Sequence, residues 1–327
     1  MTSPGWQAHL PPGESAADLD LTAEVSLPAA WANLWARNPS APALFDHQHG
    51  WVTAAQVEET SRRVAGRLQG AGLEPGDRLL VSAEASLELV VAHIAALRSG
   101  VVVVPVNTAY RDREIAHIVA DARPRGALVD SQERAGWIRA AAGQKVLVLG
   151  PDVRLADHEA EALDAPPSDQ PALIGYTSGT TGSPKGAVLT HGNLLAGSQS
   201  VALAWRWSSE DRLVLALPLF HAHGLCVGLH GTLLAGASAV LIPRFEVESV
   251  LDAARDHAAS LFFGVPTMYH RLVASPRARE LGRLRLCVSG SAPLPPELHR
   301  RLAARAGQHV LERYGMTETL MLLSNPY

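Results

Sequence analysis

The stretch Leu87-Glu88-Leu89-Val90-Val91-Ala92-His93-Ile94-Ala95-Ala96-Leu97-Arg98-Ser99-Gly100-Val101-Val102-Val103-Val104-Pro105 decides the fold class. Leu87 to Arg98 reads as a helix, and Gly100 stops it. The four valines that follow form a β-branched run with no polar position. Such a run suits a strand covered on both faces, as in a parallel sheet flanked by helices. Extended to Val106, the same stretch is also the best candidate for a membrane span. Glu88, His93, Arg98 and Gly100 interrupt it, which argues against a membrane helix.

Working outward, the same rhythm holds on both sides. Thr53 can cap a helix carrying Val57, Val64 and Leu68, ended by Gly70 and Gly72. Pro75-Gly76-Asp77 is a turn, and a strand begins at Arg78. Trp31 and Trp35, four apart, predict a docked helix whose aromatics pack into the core. Residues 1–27 are polar, with Pro11, Pro12 and Gly13, and read as irregular. Downstream, a helix is expected over 111–122, with strands over 127–129 and 145–149. After a proline- and acid-rich link (164–171) comes a strand over 172–177, a glycine-rich loop, and a helix from about His191. Further strands are expected over 213–217, 239–242, 261–265, 284–289 and 310–314. Helices around 225–234, 247–256, 267–273 and 295–306 separate them. Apolar strands alternating with helices indicate an α/β fold. There are too many strands for one sheet. Two packed, mostly parallel sheets with helices on both faces are expected, in lobes spanning 28–205 and 206–327.

A length of 327 residues fits about two such lobes. Apolar residues make up 47% and charged residues 18%, which excludes bulk disorder. A net charge of −4 leaves no basic field for nucleic acid. Cys226 and Cys287 sit in apolar runs and read as buried hydrophobes, and no Cys/His spacing suggests zinc. No basic segment followed by an apolar one opens the chain, so a cytoplasmic location is expected. Only Lys145 and Lys185 are lysines; the other 26 of the 28 basic residues are arginines. A lysine kept where arginine is the default points to a need for a compact ammonium.

In parallel α/β folds, ligands gather outside the carboxyl ends of the strands. One such end carries Tyr176-Thr177-Ser178-Gly179-Thr180-Thr181-Gly182-Ser183-Pro184-Lys185-Gly186. Its glycines let backbone N–H groups approach a ligand, its hydroxyls add donors, and Lys185 adds charge. Together they make a cradle for phosphate oxygens. Lys185 is followed by glycine rather than Ser/Thr, so this is not a Walker A loop, and no Gly-x-Ser-x-Gly elbow occurs.

This string resembles the phosphate-binding signature of the adenylate-forming superfamily, which includes acyl- and aryl-CoA synthetases, peptide-synthetase adenylation domains and luciferases. Pro218-Leu219-Phe220-His221-Ala222-His223-Gly224, Ser289-Gly290-Ser291-Ala292-Pro293-Leu294 and Tyr314-Gly315-Met316-Thr317-Glu318-Thr319 resemble further segments of that family, in the same order. The resemblance implies a reaction in two halves. A carboxylate attacks the α-phosphate of ATP, giving an acyl adenylate and pyrophosphate. The thiol of coenzyme A then displaces AMP. It also implies roles. Thr177, Ser178, Gly179, Thr180, Thr181, Gly182 and Lys185 would hold the β- and γ-phosphates. Thr317 would bond the α-phosphate, and Glu318, with Thr181, would hold Mg²⁺. Tyr314 and Gly315 would lie at the adenine, flanked by Gly290, Ser291 and Ala292. His221 would lie where the carboxylate reacts, with His223 and Met316 along the acyl pocket.

Within the superfamily the chain looks most like malonyl-CoA synthetases, with malonate or methylmalonate as the acid. Medium- or long-chain acyl-CoA synthetases are the alternative. A dicarboxylate needs a cation for its second carboxylate, and Arg271 and Arg244 are the candidates. Family members continue past this motif with a small barrel lobe, a ribose-binding aspartate and a lid carrying a lysine. The expectation is therefore a truncated chain of low activity, or a non-catalytic nucleotide-binding fragment.

Overall fold

The computed structural model describes residues 7, 10, 15, 25–177, 184–325 and 327; of Gln144 only the backbone is described. Two sheets form the frame. One has six strands in the order β6 (Leu147–Leu149), β5 (Gly126–Val129), β3 (Arg78–Ser82), β4 (Val102–Pro105), β7 (Pro171–Thr177) and β8 (Lys185–Thr190). The other has eight, in the order β14 (Leu320–Ser324), β13 (Leu311–Met316), β12 (Leu286–Ser289), β11 (Leu261–Gly264), β9 (Arg212–Leu215), β10 (Ser238–Leu241), β1 (Pro42–Asp46) and β2 (Gly50–Thr53). Neighbours run parallel except for the pairs β1·β2, β7·β8 and β13·β14. The expected α/β class, with two mostly parallel sheets, is what forms.

Helix Leu87–Arg98 buries every residue from Leu89 to Arg98, as its near-continuous apolar sequence requires. The valine run becomes β4, buried at all four positions. One apolar cluster runs from these elements to helix Leu27–Arg37, whose Trp31 and Trp35 stack with ring centroids 6.3 Å apart. Thr53 caps helix Ala54–Gly70 in a reciprocal box with Gln56, two orphan N–H groups being satisfied at once. Cys226 and Cys287 are free and buried, their thiols pushed up to about 12 by burial. Among the described residues no helix is long and apolar enough to cross a membrane.

Four differences from the sequence reading matter. The β1–β2 hairpin was not anticipated. It leaves the first half of the chain and pairs in parallel with β10 of the eight-stranded sheet. Its few residues carry no local sign of so distant a partner. A strand, β8, stands between the glycine-rich loop and the helix at His191, and Thr177 pairs with Lys185 across it. The segment expected as an ordinary helix at 225–234 is a π-helix over His223–Leu229 followed by α-helix His230–Leu234. A Cβ on Gly224 would lie 2.3 Å from the Pro218 carbonyl oxygen, so only glycine lets the chain fold back there. Finally, β13 runs on to Met316 and returns as β14.

Candidate active site

The two sheets bring their motifs together at one point. A Cβ on Gly175 of β7 would lie 2.3 Å from Thr317 Cγ2, so the absence of a side chain there admits Thr317. Thr177 and Lys185 stand at the ends of the paired strands just beyond. Ser178, Gly179, Thr180, Thr181 and Gly182 lie outside the described residues.

Beside Thr317 opens a cleft of about 480 Å³. His221, Ala222, His223 and Gly224 form one wall, and Val265 and Met268 another. Ser291, the β13 residues Arg313, Gly315 and Met316, and Thr317 on the turn that follows close it. A second cleft of about 500 Å³ is lined by Ser291, Ala292, Pro293, Glu312, Arg313, Tyr314 and Gly315. The expected site residues His221, His223, Met316, Thr317, Ser291 and Gly315 thus share the first cleft, and Ala292 and Tyr314 flank the second. Tyr314 is exposed at 55%, and Glu318 is exposed on the β13–β14 turn.

His223 opens the π-helical turn and His221 lies two residues before it; such an irregularity often marks a functional site. Burial pushes the pKa of His221 down and that of His223 well down, the latter helped by Arg313 and His221. Both rings are therefore neutral near pH 7. His223 stacks on Phe263 at 6.5 Å and has no hydrogen-bond partner for either ring nitrogen.

Arg313 is the residue that the sequence reading missed. Its guanidinium lies on the backbone of Gly290, where a Cβ would be only 2.2 Å from Nε. Its Nε is buried without a partner, and its one hydrogen bond, to Ser291 Oγ, is long at 3.4 Å. Burial pulls its pKa down to about 10, so it is still a cation at neutral pH. Ser291 itself is held at φ +68°, in the left-handed region, at a cost of about 1–2 kcal/mol. No periodicity pointed to it: the expected strand stopped at Tyr314, Thr317 lies on the turn after β13, and the pairing with β14 shifts register between Tyr314 and Gly315.

Arg244 and Arg271 need correction, because neither lines either of these two clefts. Arg244 is exposed and pairs with Glu84 at 3.2 Å. Arg271 is exposed too, its guanidinium 5.0 Å from the centre of the Phe245 ring. Both lie on the outside of elements whose inner faces pack. One group with metal-ligand spacing occurs among the described residues: Asp46, His49 and Glu88. Asp46 already accepts N–H bonds from Gln48, His49 and Leu87, which makes it a brace for the β1–β2 turn.

The geometry defines a two-sheet frame with adjoining clefts at its strand ends, the architecture of the N-terminal domain of adenylate-forming enzymes. The chain belongs to the AMP-binding enzyme family, which matches residues 31–327. A feruloyl-CoA synthase of Amycolatopsis sp is 37% identical over 282 residues, covering 83% of this chain and 56% of the relative. A malonate–CoA ligase of Arabidopsis thaliana is 32% identical over 291 residues, covering 80% of this chain and 48% of the relative. The crystal structure of ATP-bound MatB from Rhodopseudomonas palustris superposes with a TM-score of 0.83 at 39% identity, over 92% of this chain and 62% of that one. The chain spans about half the length of the curated relatives it matches.

Proposed function

We propose that this chain carries the substrate- and nucleotide-binding part of an AMP-forming carboxylate–CoA ligase, and that its acid is a small dicarboxylate of the malonate class. Arg313 carries the second half of that reading. Among the described residues it is a half-buried cation whose Nε is buried and which has no carboxylate partner, at the junction of the two clefts. An unpaired buried charge is costly, and a ligand carboxylate that reaches it supplies the missing charge-assisted hydrogen bonds. A monocarboxylic acid with an apolar tail leaves the guanidinium unpaired.

In the reaction, one carboxylate oxygen of the acid attacks the α-phosphorus of ATP; the P–O bond to pyrophosphate breaks. The thiol sulfur of coenzyme A then bonds to the acyl carbon, and AMP leaves with the electron pair of the C–O bond. No protein nucleophile is required, so positioning and charge neutralisation do the work. Thr317, at the meeting point of the sheets, bonds the α-phosphate. Lys185 and the loop before it hold the outer phosphates. Neutral His221 and His223 orient the acid through hydrogen bonds without competing with Arg313 as cations. A divalent cation accompanying ATP would neutralise phosphate charge, and Glu318, an exposed hard-oxygen donor beside Thr317, fits it.

The feruloyl-CoA synthase relative keeps a second reading open, and the apolar residues Val227, Val265, Met268, Met316 and Met321 of the cleft favour it. Calorimetry with malonate, ferulate and octanoate in the presence of ATP separates the two. Malonate binding that falls by roughly a hundredfold in Arg313→Met supports the dicarboxylate. Ferulate or octanoate binding as tight as malonate, with no dependence on Arg313, replaces it. Failure of the wild-type chain to bind ATP at all removes the ligase reading itself.

A further inference from the structure

The turn between β13 and β14 carries Thr317 and Glu318, and both of its ends are seated on glycines of the other half of the molecule. At its start, Thr317 Cγ2 fills the space that a Cβ on Gly175 of β7 would need, the two lying 2.3 Å apart. At its end, a Cβ on Gly197 would lie 2.7 Å from Leu320 Cδ1 and 3.5 Å from Leu320 Cβ. Gly197 belongs to helix His191–Ala204, which follows β8. Two hollows left by missing side chains thus receive two residues of one turn.

Leu320 is 6% exposed and belongs to the same apolar cluster as helix Leu87–Arg98. The Thr319 N–H closes the turn by donating to the Met316 carbonyl at 3.3 Å, and Met316 pairs with Leu320. At Leu320 the backbone takes φ +56°, in the left-handed region. A residue with a Cβ disfavours that region, and glycine is its usual occupant. Leucine therefore stands there at a conformational cost. Strain of this kind persists where the surrounding packing over-determines it. What leucine supplies and glycine cannot is the side chain that rests on Gly197. A hydroxyl bonds a phosphate oxygen only when held at hydrogen-bond distance, and a turn seated at one end alone can pivot.

We infer that Leu320 is a positioning residue: docked on Gly197, it latches the β13–β14 turn and so aims Thr317 at the α-phosphate of the nucleotide. This rests on the reading of Thr317 as the α-phosphate ligand. A residue that only fills the core affects nucleoside and nucleotide alike; a latch on the turn affects only the ligand that carries the phosphate.

The test is titration of AMP and of adenosine into the full chain, for wild type, Leu320→Ala, Leu320→Gly, Leu320→Met, Gly197→Val and Thr317→Val. Leu320→Ala should lower AMP affinity roughly three- to tenfold while adenosine affinity stays within about twofold. Leu320→Gly should show the same AMP-selective loss, although it relieves the backbone. Leu320→Met refills the hollow and should bind AMP within about twofold of wild type. Gly197→Val fills the hollow from the helix side, removes nothing from the core and should also lose AMP selectively. It carries the test if the Leu320 variants do not fold. An unchanged ratio of AMP to adenosine affinity, a parallel fall in both, or a Leu320→Gly that binds AMP as wild type does, overturns the latch. Thr317→Val separates the latch from the reading beneath it. If Thr317→Val alone loses AMP affinity, the latch fails and the phosphate role of Thr317 stands. If Thr317→Val binds AMP as wild type does, Thr317 is not the α-phosphate ligand, and the latch falls with that reading.

Discussion

Arg98 is fully buried and Arg313 half-buried with its Nε shielded from water, and they belong to different kinds of place. Arg98 ends helix Leu87–Arg98 and is 1% exposed. All its nitrogens are used: Asp164 accepts at 3.0 and 2.8 Å, Glu58 Oε1 at 3.1 Å, Ser61 Oγ at 2.9 Å and the Glu58 carbonyl at 3.1 Å. It ties the link after β6 to helix Ala54–Gly70. Arg313 has one long bond and a bare Nε. Burial alone does not distinguish a scaffold charge from a site charge; satisfaction does. A fully bonded guanidinium has no capacity left for a ligand, whereas an unsatisfied one persists where a ligand completes it.

The comparison breaks most visibly in stability. Arg98→Ala leaves Asp164 without its cation, while Glu58 keeps only Arg62 on the same helix. Loss of about 3–5 kcal/mol is expected in urea unfolding, because breaking a buried pair strands the remaining charge. Arg313→Met removes a half-buried charge that has no counter-ion, so its stability should be unchanged or higher. If both variants lose stability equally, satisfaction does not separate the two arginines.

A third buried polar place sharpens the point. His93, His191 and His230 sit in the core. Nε2 of His93 lies 2.8 Å from Nε2 of His230, while both ring nitrogens of His191 lack partners. Imidazole escapes the penalty that Arg313 bears by staying neutral: burial lowers the pKa to about 4 for both His93 and His191. Unfolding exposes them to water, where they take up protons below about 6.5. Between about pH 6.5 and 4 the unfolded chain therefore binds more protons than the folded one. Stability is complete above that window and falls as the pH drops, by up to about 1.4 kcal/mol per pH unit for each ring. Urea midpoints measured at intervals from pH 7.5 to 5 check the slope. His191→Leu should make it shallower, and an unaltered slope would mean that this ring does not titrate on unfolding.

The site makes a smaller but more specific difference. Arg313→Met should cost malonate roughly a hundredfold in affinity, about 2.7 kcal/mol, while AMP binding holds. A parallel loss of AMP would place the guanidinium on the nucleotide side of the shared wall and move the acid elsewhere.

How much of this was legible depends on how local each signal is. Leu87–Pro105 spelled out a buried helix and strand because burial on all sides leaves no polar position, a property of the segment alone. Thr53 showed its helix start for the same reason. The strands β1, β2, β8 and β14 were invisible because each is short and depends on a partner strand or hairpin for its pairing. The π-helix at His223 follows from Gly224 pressing on Pro218, a clearance that no periodicity encodes. At the site, His221, His223, Ser291, Gly315, Met316 and Thr317 line one cleft. The cation was not legible, because an arginine's pairing is a three-dimensional fact. Among 26 arginines, sequence offered position after a strand as the criterion, and it selected two on the surface.

Those two arginines supply the smallest effect and the cleanest control. Arg271 lies against the Phe245 ring and Arg244 beside Glu84, both exposed and both outside the clefts. Neither can reach an acid held between His223 and Arg313 without rearrangement of the helix or loop that carries it. Arg271→Ala and Arg244→Ala should therefore leave malonate affinity within about twofold of wild type, as surface substitutions away from a site do. The same titrations that measure Arg313→Met check this. A tenfold loss in either variant would mean that the acid binds on the outer face of these elements. The half-buried guanidinium of Arg313 would then lack the ligand that the comparison with Arg98 assigns to it.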